Sequence, residues 1–167
     1  MRFPLEVLEA VRSVWPKNKP LSVRISATDW LPGGIEDGDV LALALALKER
    51  GTDVIDVSCG MTTPQSRPKF YGRMYQAYWA DMVRNEVKIP TITVGGISSA
   101  DQINTIILSG RADLCALARP HLANPSWTLQ EAAAQGYTAQ RWPAPYLSAK
   151  GQMERNAERA AAAVGPV

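Results

Sequence analysis

The feature that most constrains this chain is its regular alternation of helical and strand-like segments. Apolar residues at helical spacing occupy residues 4–15, and the alternating segment 21–26 follows them. Further strand-like segments at 53–58, 90–94 and 112–118 recur roughly every 25–35 residues, each after a helical segment. This rhythm is typical of repeated βαβ units, so the sequence predicts an α/β fold with parallel strands covered by helices.

The helical segments give a first division of the chain. Helices are predicted over residues 39–50, about 73–86, 99–109 and 124–136, followed by a Trp-Pro linker and an alanine-rich helical tail. The helix over about 73–86 is expected to bury four large side chains: Tyr75, Tyr78, Trp79 and Met82. The helix after it begins with the form of a capping box at residues 99–102. We divide the chain accordingly into an α/β segment, residues 1–137, and a linker with a helical tail, residues 138–167.

Composition and charge exclude several classes of partner. The 167 residues carry 18 basic and 16 acidic side chains, a net charge of +2. This balance gives no electrostatic reason to bind nucleic acid or an anionic membrane. The longest apolar run, residues 40–47, is too short to span a bilayer, and we expect a cytoplasmic protein.

The chain holds few of the side chains that catalyse reactions unaided. Cys59 and Cys115 lack metal-ligand spacing and are expected to be buried, reduced thiols. His121 is the single histidine, and a surface or capping role is expected for it. No triad or paired-carboxylate motif is recognisable. We therefore predict no catalytic residue and no metal site, which suits a protein whose chemistry comes from a cofactor.

Arg24 is the most informative residue near the carboxyl ends of the predicted strands, where parallel α/β proteins bind ligands. A charge within an apolar strand is costly unless it is paired. Its neighbours on the same face, Ser22 and Ser26, are polar, which indicates a polar interior. Two interpretations stay open: a cation that meets an electron-rich ligand atom, or an ion pair with Asp56 on the adjacent strand.

Two other strand ends together predict a phosphate site. Gly95 and Gly96 end the third strand before a capped helix, and bare backbone there can approach a phosphate, with a plain tight turn as the alternative. Ala118 and Arg119 end the fourth strand, and Arg119 adds a guanidinium. In (β/α)8 barrels the loops after the last two strands commonly hold a phosphate group, so we predict that these two ends form one cradle.

Longer stretches resemble one known family. Residues 20–30, PLSVRISATDW, resemble the fifth barrel strand of old yellow enzyme-type flavin oxidoreductases, and residues 54–60, VIDVSCG, resemble the sixth. Residues 72–87 resemble the helix that follows, and residues 89–127 resemble strands seven and eight with their phosphate site. The resemblance implies the C-terminal half, strands five to eight, of a TIM (β/α)8 barrel.

The resemblance also implies FMN as the cofactor and NADH or NADPH as the electron donor. The residues implied to bind FMN are Arg24, Gly60, Gly95, Gly96, Ala118 and Arg119. Arg24 would lie beside the flavin pyrimidine and stabilise the anionic reduced flavin, and Ala118 stands where the family has glycine. Lys150 falls where some members place an arginine that reaches a neighbouring subunit, with a solvated tail lysine as the alternative.

Two segments narrow the expected substrate. Residues 117–127, LARPHLANPSW, and 142–152, WPAPYLSAKGQ, are similar to the reductase half of bifunctional salicylyl-CoA and aminobenzoyl-CoA monooxygenases. The expected substrate is therefore a small activated alkene or an aryl-CoA derivative. The related dienoyl-CoA reductases carry iron–sulfur cysteines after strand eight, and this sequence has none there.

The first four barrel strands, which in the family carry the substrate-gripping pair and the usual tyrosine acid, have no counterpart in this sequence. Four parallel strands cannot close an eight-stranded barrel, and open strand edges are a liability. We expect a homo-oligomer, or association with a missing N-terminal half. The alternatives are a non-catalytic half-barrel and a small α/β module that binds a phosphorylated ligand.

Overall fold

The structure, a computed structural model, describes residues 1–164. Helices and strands alternate along these residues in the predicted order. The elements up to the last strand are α1 Arg2–Val14, β1 Ser22–Ser26, α2 Asp37–Glu49, β2 Val54–Ser58, α3 Ala77–Met82 with a π-helical extension Val83–Val87, β3 Thr91–Val94, α4 Ala100–Leu108 and β4 Leu114–Ala116. The elements after it are α5 Arg119–Ala123, α6 Trp127–Ala134, a 3-10 turn Ala144–Tyr146 and α7 Leu147–Val164. Residues 165–167 of the predicted tail lie outside the described residues.

In the described part of the chain, the strands form one four-stranded sheet in the order β1-β2-β3-β4. Every neighbouring pair is parallel, and Arg24 of β1 lies directly opposite Asp56 of β2. A parallel connection needs a crossover, which α2, α3 and α4 supply in turn. This is the order of consecutive strands in a (β/α)8 barrel, and it places all the carboxyl ends along one edge.

The two faces of the sheet carry different side chains because successive strand residues point to opposite sides. One face is buried, and its members are Ile25, Ile55, Val57, Thr91 and Thr93. They share a core with apolar residues of the covering helices, among them Val40, Ala44, Leu47, Ala80, Val83 and Ile106. The opposite face is half-buried or exposed, and it carries Arg24, Ser26, Asp56, Ser58 and Leu114. The hydrophobic core therefore lies between the sheet and its helices.

Side-chain caps fix where two of the covering helices begin. At α2, the Glu36 side chain accepts from the backbone N–H of Asp39, and the Asp39 side chain accepts from that of Glu36. At α4, the Ser99 hydroxyl accepts from the N–H of Gln102 at 3.3 Å, as the sequence predicts. The Gln102 side chain reaches back to the N–H of Ser98 rather than to that of Ser99.

Three elements differ from the prediction. The third helix begins at Ala77 and continues beyond Met82 as the π-helical segment, and β4 is limited to Leu114–Ala116. A short helix that was not predicted, α5, precedes α6, and α6 confirms the helix predicted over 124–136. Asn124 separates them in an extended conformation, because the ring of the following proline disfavours helical backbone at the preceding residue.

The chain forms two compact units, Met1–Leu117 and a second unit that begins at Ala118. Within the second unit, α6 and α7 pack against each other, and Gly136 follows α6 in the left-handed conformation that ends many helices. The predicted functional division at residue 137 stays a prediction. Among residues 1–164, no helix is long and apolar enough to cross a membrane.

Two leucines of α2 provide a test of this core. Leu47 is 1% exposed, whereas Leu45 on the same helix is 47% exposed. We expect Leu47→Ala to lower the free energy of unfolding by about 2–5 kcal/mol, because truncation leaves a cavity, and Leu45→Ala by less than about 1 kcal/mol. Urea denaturation followed by circular dichroism measures both, and equal losses would contradict the buried face described here.

Candidate functional site

Arg24 and Asp56 form an ion pair across the exposed face of the sheet. Arg24 Nη1 lies 2.8 Å from Asp56 Oδ2, with the two side chains 54% and 17% exposed. The ion pair that sequence reasoning held as one of two alternatives is therefore present. It engages one guanidinium nitrogen of a half-exposed side chain, so the remaining N–H groups are free to face a ligand. Within the described residues, Asp56 Oδ1 is buried without a hydrogen-bond partner.

Gly60 follows β2 at a point where two other segments converge on its Cα atom. Its backbone has φ +68, and an added Cβ would lie 2.6 Å from the Ser66 carbonyl oxygen and 2.7 Å from Trp30 Cδ1. Its N–H donates to the Thr28 carbonyl at 2.7 Å. Glycine is thus required for the packing of the loops after β1 and β2, whatever ligand this edge binds.

The Gly95–Gly96 turn after β3 is covered by the loop that precedes α3. A Cβ at Gly95 would lie 2.7 Å from Gln76 Nε2, and one at Gly96 would lie 2.5 Å from the Gly72 carbonyl oxygen. Met74 N–H donates to the Gly96 carbonyl at 3.1 Å. Because these two glycines have no Cβ atom, the loop before α3 can pack directly against their Cα atoms. The predicted contact with a phosphate group stays a prediction.

Four of the six predicted FMN-binding residues lie in the first unit, on the parallel strands or directly after them. Arg24, Gly60, Gly95 and Gly96 lie on or just after strands β1, β2 and β3. Ala118 and Arg119 begin the second unit, where both are exposed and Arg119 is the first residue of α5. The cradle formed jointly by the two strand ends stays a prediction.

Two further residues considered from sequence have local partners in the second unit. The Lys150 ammonium donates to the Thr138 carbonyl at 2.8 Å and lies 3.7 Å from a Glu154 carboxylate oxygen. The His121 ring meets Trp127 edge to face at 5.7 Å. These contacts give both side chains a structural role. Among residues 1–164, no group of three or more His, Cys, Asp or Glu side chains could hold a metal ion.

Sequence reasoning missed a polar link between the loops after β1 and β2. Asp29 accepts hydrogen bonds from the Thr62 hydroxyl at 2.7 Å and from the Ile35 N–H at 3.1 Å. The buried Ser66 hydroxyl lies 2.8 Å from that of Thr62. The hydrogen bond from Thr62, with that from Ile35, holds the pKa of Asp29 below its ordinary value. The sequence signal that could have indicated this link is the hydroxyl-rich loop after β2 together with a carboxylate in the loop after β1.

A second missed feature is the anchoring of two aromatic residues to the start of α2. The Tyr78 hydroxyl donates to Asp37 Oδ2 at 2.8 Å, and Trp79 Nε1 donates to Asp37 Oδ1 at 3.0 Å. The predicted burial of Tyr78 is therefore wrong: it is 52% exposed, because its hydroxyl is held at the surface by Asp37. The Trp79 ring meets Trp30 edge to face at 4.9 Å.

These aromatic residues and the loop after β2 line an open pocket of about 560 Å³ in the first unit. Its walls combine aromatic and basic side chains. We call it the aromatic–basic pocket and define it by Trp30, Arg67, Lys69, Phe70, Arg73 and Tyr78. A cavity of this size matches the usual range for small-molecule sites.

With this geometry in view, comparison with known proteins identifies the family. The model of the NADH:flavin oxidoreductase / NADH oxidase family matches residues 1–138.

The chain belongs to this family.

Its relatives include an NADPH dehydrogenase of Geobacillus sp. (strain WCH70), 42% identical over 154 residues, which are 92% of this chain and 42% of the relative. An NADH oxidase of Thermoanaerobacter brockii is 34% identical over 132 residues, or 76% of this chain and 20% of that protein. The chain thus spans less than half the length of these relatives. The expected cofactors, FMN with NADH or NADPH, are those of the family.

Solved structures confirm the fold. A 2-naphthoyl-CoA reductase in complex with 2-naphthoyl-CoA matches with a TM-score of 0.67 and 22% identity, over 81% of this chain and 21% of that one. A histamine dehydrogenase from Rhizobium sp. 4-9 matches with a TM-score of 0.65 and 22% identity, over 81% and 20%. The described strands are therefore part of a (β/α)8-barrel fold, as the resemblance of the sequence implied.

The close approach at Gly96 predicts an unequal cost of two glycine substitutions. Gly96 and Gly110 both have positive φ, but an added Cβ at Gly110 meets no atom closer than 3.5 Å. We expect Gly110→Ala to cost about 1 kcal/mol of stability for its backbone conformation, and Gly96→Ala at least about 3 kcal/mol, because it also displaces the Gly72 backbone. Urea denaturation compares the two, and a smaller loss for Gly96→Ala would refute the contact.

Burial of Cys59 predicts a slowly reacting thiol. Desolvation raises its pKa to about 12, so at pH 8 only about one molecule in 10⁴ carries the reactive thiolate. We expect iodoacetamide to label Cys59 far more slowly in the native protein than in urea, and the less buried Cys115 to be labelled sooner. Peptide mass spectrometry measures each site, and native labelling of Cys59 at the rate seen in urea would contradict its burial.

Proposed function

We propose that this chain supplies the flavin-binding part of an FMN-dependent NAD(P)H oxidoreductase of the ene-reductase type. FMN, when bound, supplies hydride transfer from the reduced nicotinamide to an activated alkene or an aryl-CoA derivative. Membership of the NADH:flavin oxidoreductase family supports the reaction class. The chain's own residues are proposed to bind and orient the flavin and to adjust its charge. We also propose a cytoplasmic location for the enzyme.

The single observation that carries the proposal is Arg24, a half-exposed cation on the polar face of the sheet. Asp56 fixes the position of the guanidinium through one nitrogen, and the remaining donors are open to an electron-rich ring atom. A fixed positive charge beside the flavin pyrimidine favours the anionic reduced form over the oxidised one. Arg24 is therefore proposed to bind the flavin and to raise its reduction potential.

The remaining candidates are proposed to hold the phosphate end of the flavin. Gly95 and Gly96 permit close backbone approach, and Arg119 is an exposed guanidinium at the start of α5. Ala118 keeps the backbone N–H of the glycine that the family has there, at the cost of an added methyl group. The buried, unpartnered Gln76 Oε1 beside Gly95 supports a polar ligand in this region.

An aryl-CoA substrate is the narrower part of the proposal. The similarity of residues 117–127 and 142–152 to aryl-CoA monooxygenase reductases supports it, and one structural relative is a reductase complexed with 2-naphthoyl-CoA. We assign no proton donor to the described residues, so protonation of the product is left to water or to groups outside them.

Completion of the barrel by further strands is also part of the proposal. Within the described residues, β1 and β4 are the edges of the sheet, and Leu114 is 56% exposed on its open face. Unpaired edges and an exposed apolar side chain favour association. The sheet is therefore proposed to pair with a second copy of the chain, or with a segment that carries the first four strands.

Flavin retention tests the proposed function. The chain is saturated with FMN, desalted, and its visible spectrum recorded before and after anaerobic addition of NADH or NADPH. We expect a yellow protein whose flavin band bleaches, because the nicotinamide reduces the bound flavin. Arg24→Ala should weaken FMN binding about tenfold or more, and Arg119→Ala should do likewise, because each removes a charge-assisted contact.

The matched control is Arg2→Ala, which removes an arginine from an exposed ion pair with Glu6 on α1. It should leave flavin affinity unchanged, because surface pairs of this kind contribute little. A colourless protein, with circular dichroism showing a folded chain, would refute flavin binding by this chain alone. It would favour a non-catalytic half-barrel.

A further inference from the structure

The aromatic–basic pocket contains cations that the rest of the first unit does not neutralise. Arg67, Lys69 and Arg73 lie within seven residues of one another on the loop after β2. Among residues 1–164, none of the three side chains has an ion pair or a hydrogen bond. The other arginines of this unit are all ion-paired, namely Arg2, Arg12, Arg24, Arg50, Arg84 and Arg111. The two arginines of this unit that have no ion pair among residues 1–164 therefore both line this pocket.

The same pocket exposes aromatic rings that have no packing role in the core. Phe70 is 80% exposed and Tyr78 is 52% exposed, and the half-buried Trp30 and Trp79 line the same pocket as an edge-to-face pair. Asp37 holds Tyr78 and Trp79 in place by hydrogen bonds. Tyr78 and Trp79 are thus preorganised, and with the exposed Phe70 they offer rings on which a planar group can stack.

Trp30 itself points to an unfilled polar contact. Its indole Nε1 is buried and has no hydrogen-bond partner among the described residues, although buried indole N–H groups usually have one. Its backbone adopts a left-handed conformation, φ 59, which is unfavourable for a bulky residue and is tolerated where the surroundings require it. Both observations describe a ring that is fixed by its packing against Gly60 and forms part of the pocket wall.

Together these features define the chemistry of the ligand. Aromatic faces bind a planar heterocycle, and three unpaired cations bind several negative charges, as phosphate groups carry. A small aromatic carboxylate would satisfy one cation and leave the other two. A nucleotide with more than one phosphate group satisfies both parts of the pocket.

We propose that the aromatic–basic pocket binds the adenosine phosphate portion shared by reduced nicotinamide dinucleotides and coenzyme A thioesters. The choice of adenosine over another nucleoside rests on the proposed function. The electron donor NADH or NADPH and the proposed aryl-CoA substrate both contain adenosine. Phe70 and Tyr78 stack on the adenine, and the three cations contact the phosphate groups. The pocket is therefore a specificity site that holds the non-reacting end of the molecule.

Isothermal titration with three probes tests this inference on the full chain. The probes are 2′,5′-ADP, the phosphorylated half of NADPH; 3′,5′-ADP, the nucleotide of coenzyme A; and inorganic pyrophosphate. We expect at least one ADP isomer to bind about tenfold or more tightly than pyrophosphate, because only the nucleotides stack. A preference for 2′,5′-ADP identifies the dinucleotide as the source, and a preference for 3′,5′-ADP identifies coenzyme A.

Variants separate the two halves of the pocket. The double variant Arg67→Ala/Arg73→Ala should weaken ADP binding about tenfold or more, because it removes two phosphate-binding cations. Phe70→Ala should weaken ADP binding about fivefold and leave pyrophosphate binding unchanged, because it removes only a stacking surface. Lys17→Ala, a lysine exposed beyond α1, is the matched control for loss of charge and should have no effect. Circular dichroism verifies that each variant is folded.

Three results would overturn the inference: no ADP binding up to about 5 mM, equal affinity for pyrophosphate and both ADP isomers, or affinities that the pocket variants do not change. FMN affinity measured on the same preparations separates this inference from the proposed function. A chain that binds FMN but no nucleotide retains the proposed function and loses the pocket. A chain that binds ADP through the pocket but retains no FMN loses the proposed function and keeps the pocket.

Discussion

Parallel pairing of β1 to β4 in one continuous register is the constraint on which the rest of the first unit depends. Because the pairing is parallel, each connection must cross over as a helix, and these helices cover one face with apolar side chains. The same pairing places Arg24 opposite Asp56. The ion pair offsets the cost of a charge within a strand, and the Arg24 side chain stays half-exposed. It also gathers the loops that carry glycine turns, aromatic rings and unpaired cations along one edge.

Much of this architecture could be predicted because it depends on local periodicity. Alternation in residues 21–26 correctly separated the polar face of β1 from its apolar face, and helical spacing located α1 and α2 within two residues of their ends. The helix cap at Ser99 could also be predicted from the sequence, since it joins residues that are only three positions apart. The helix predicted over 124–136 is present as α6, whereas the five residues of α5 before it are too few to show a helical periodicity.

The remainder depends on contacts between segments that lie far apart in the sequence. Nothing around Gly96 reveals that the Gly72 carbonyl will approach its Cα, so the turn was interpreted by its possible ligand alone. Helical spacing predicted that Tyr78 is buried. The prediction failed because Asp37, forty-one residues earlier, holds the Tyr78 hydroxyl at the surface, and the spacing of apolar residues carries no information on that contact. The aromatic–basic pocket was missed for the same reason, since Trp30 comes from the loop after β1 and Trp79 from α3.

The link between Asp29, Thr62 and Ser66 has a consequence for the dynamics of this edge. The loop after β1 and the loop after β2 are separated by thirty-three residues at this contact, yet they share a hydrogen-bonded network with a buried hydroxyl at its centre. Neither loop can open without breaking bonds to the other. Their amides should therefore exchange with solvent through one common opening, as a cooperative unit rather than as two independent flaps. Entry and exit of any ligand at this edge would then be gated by both loops together.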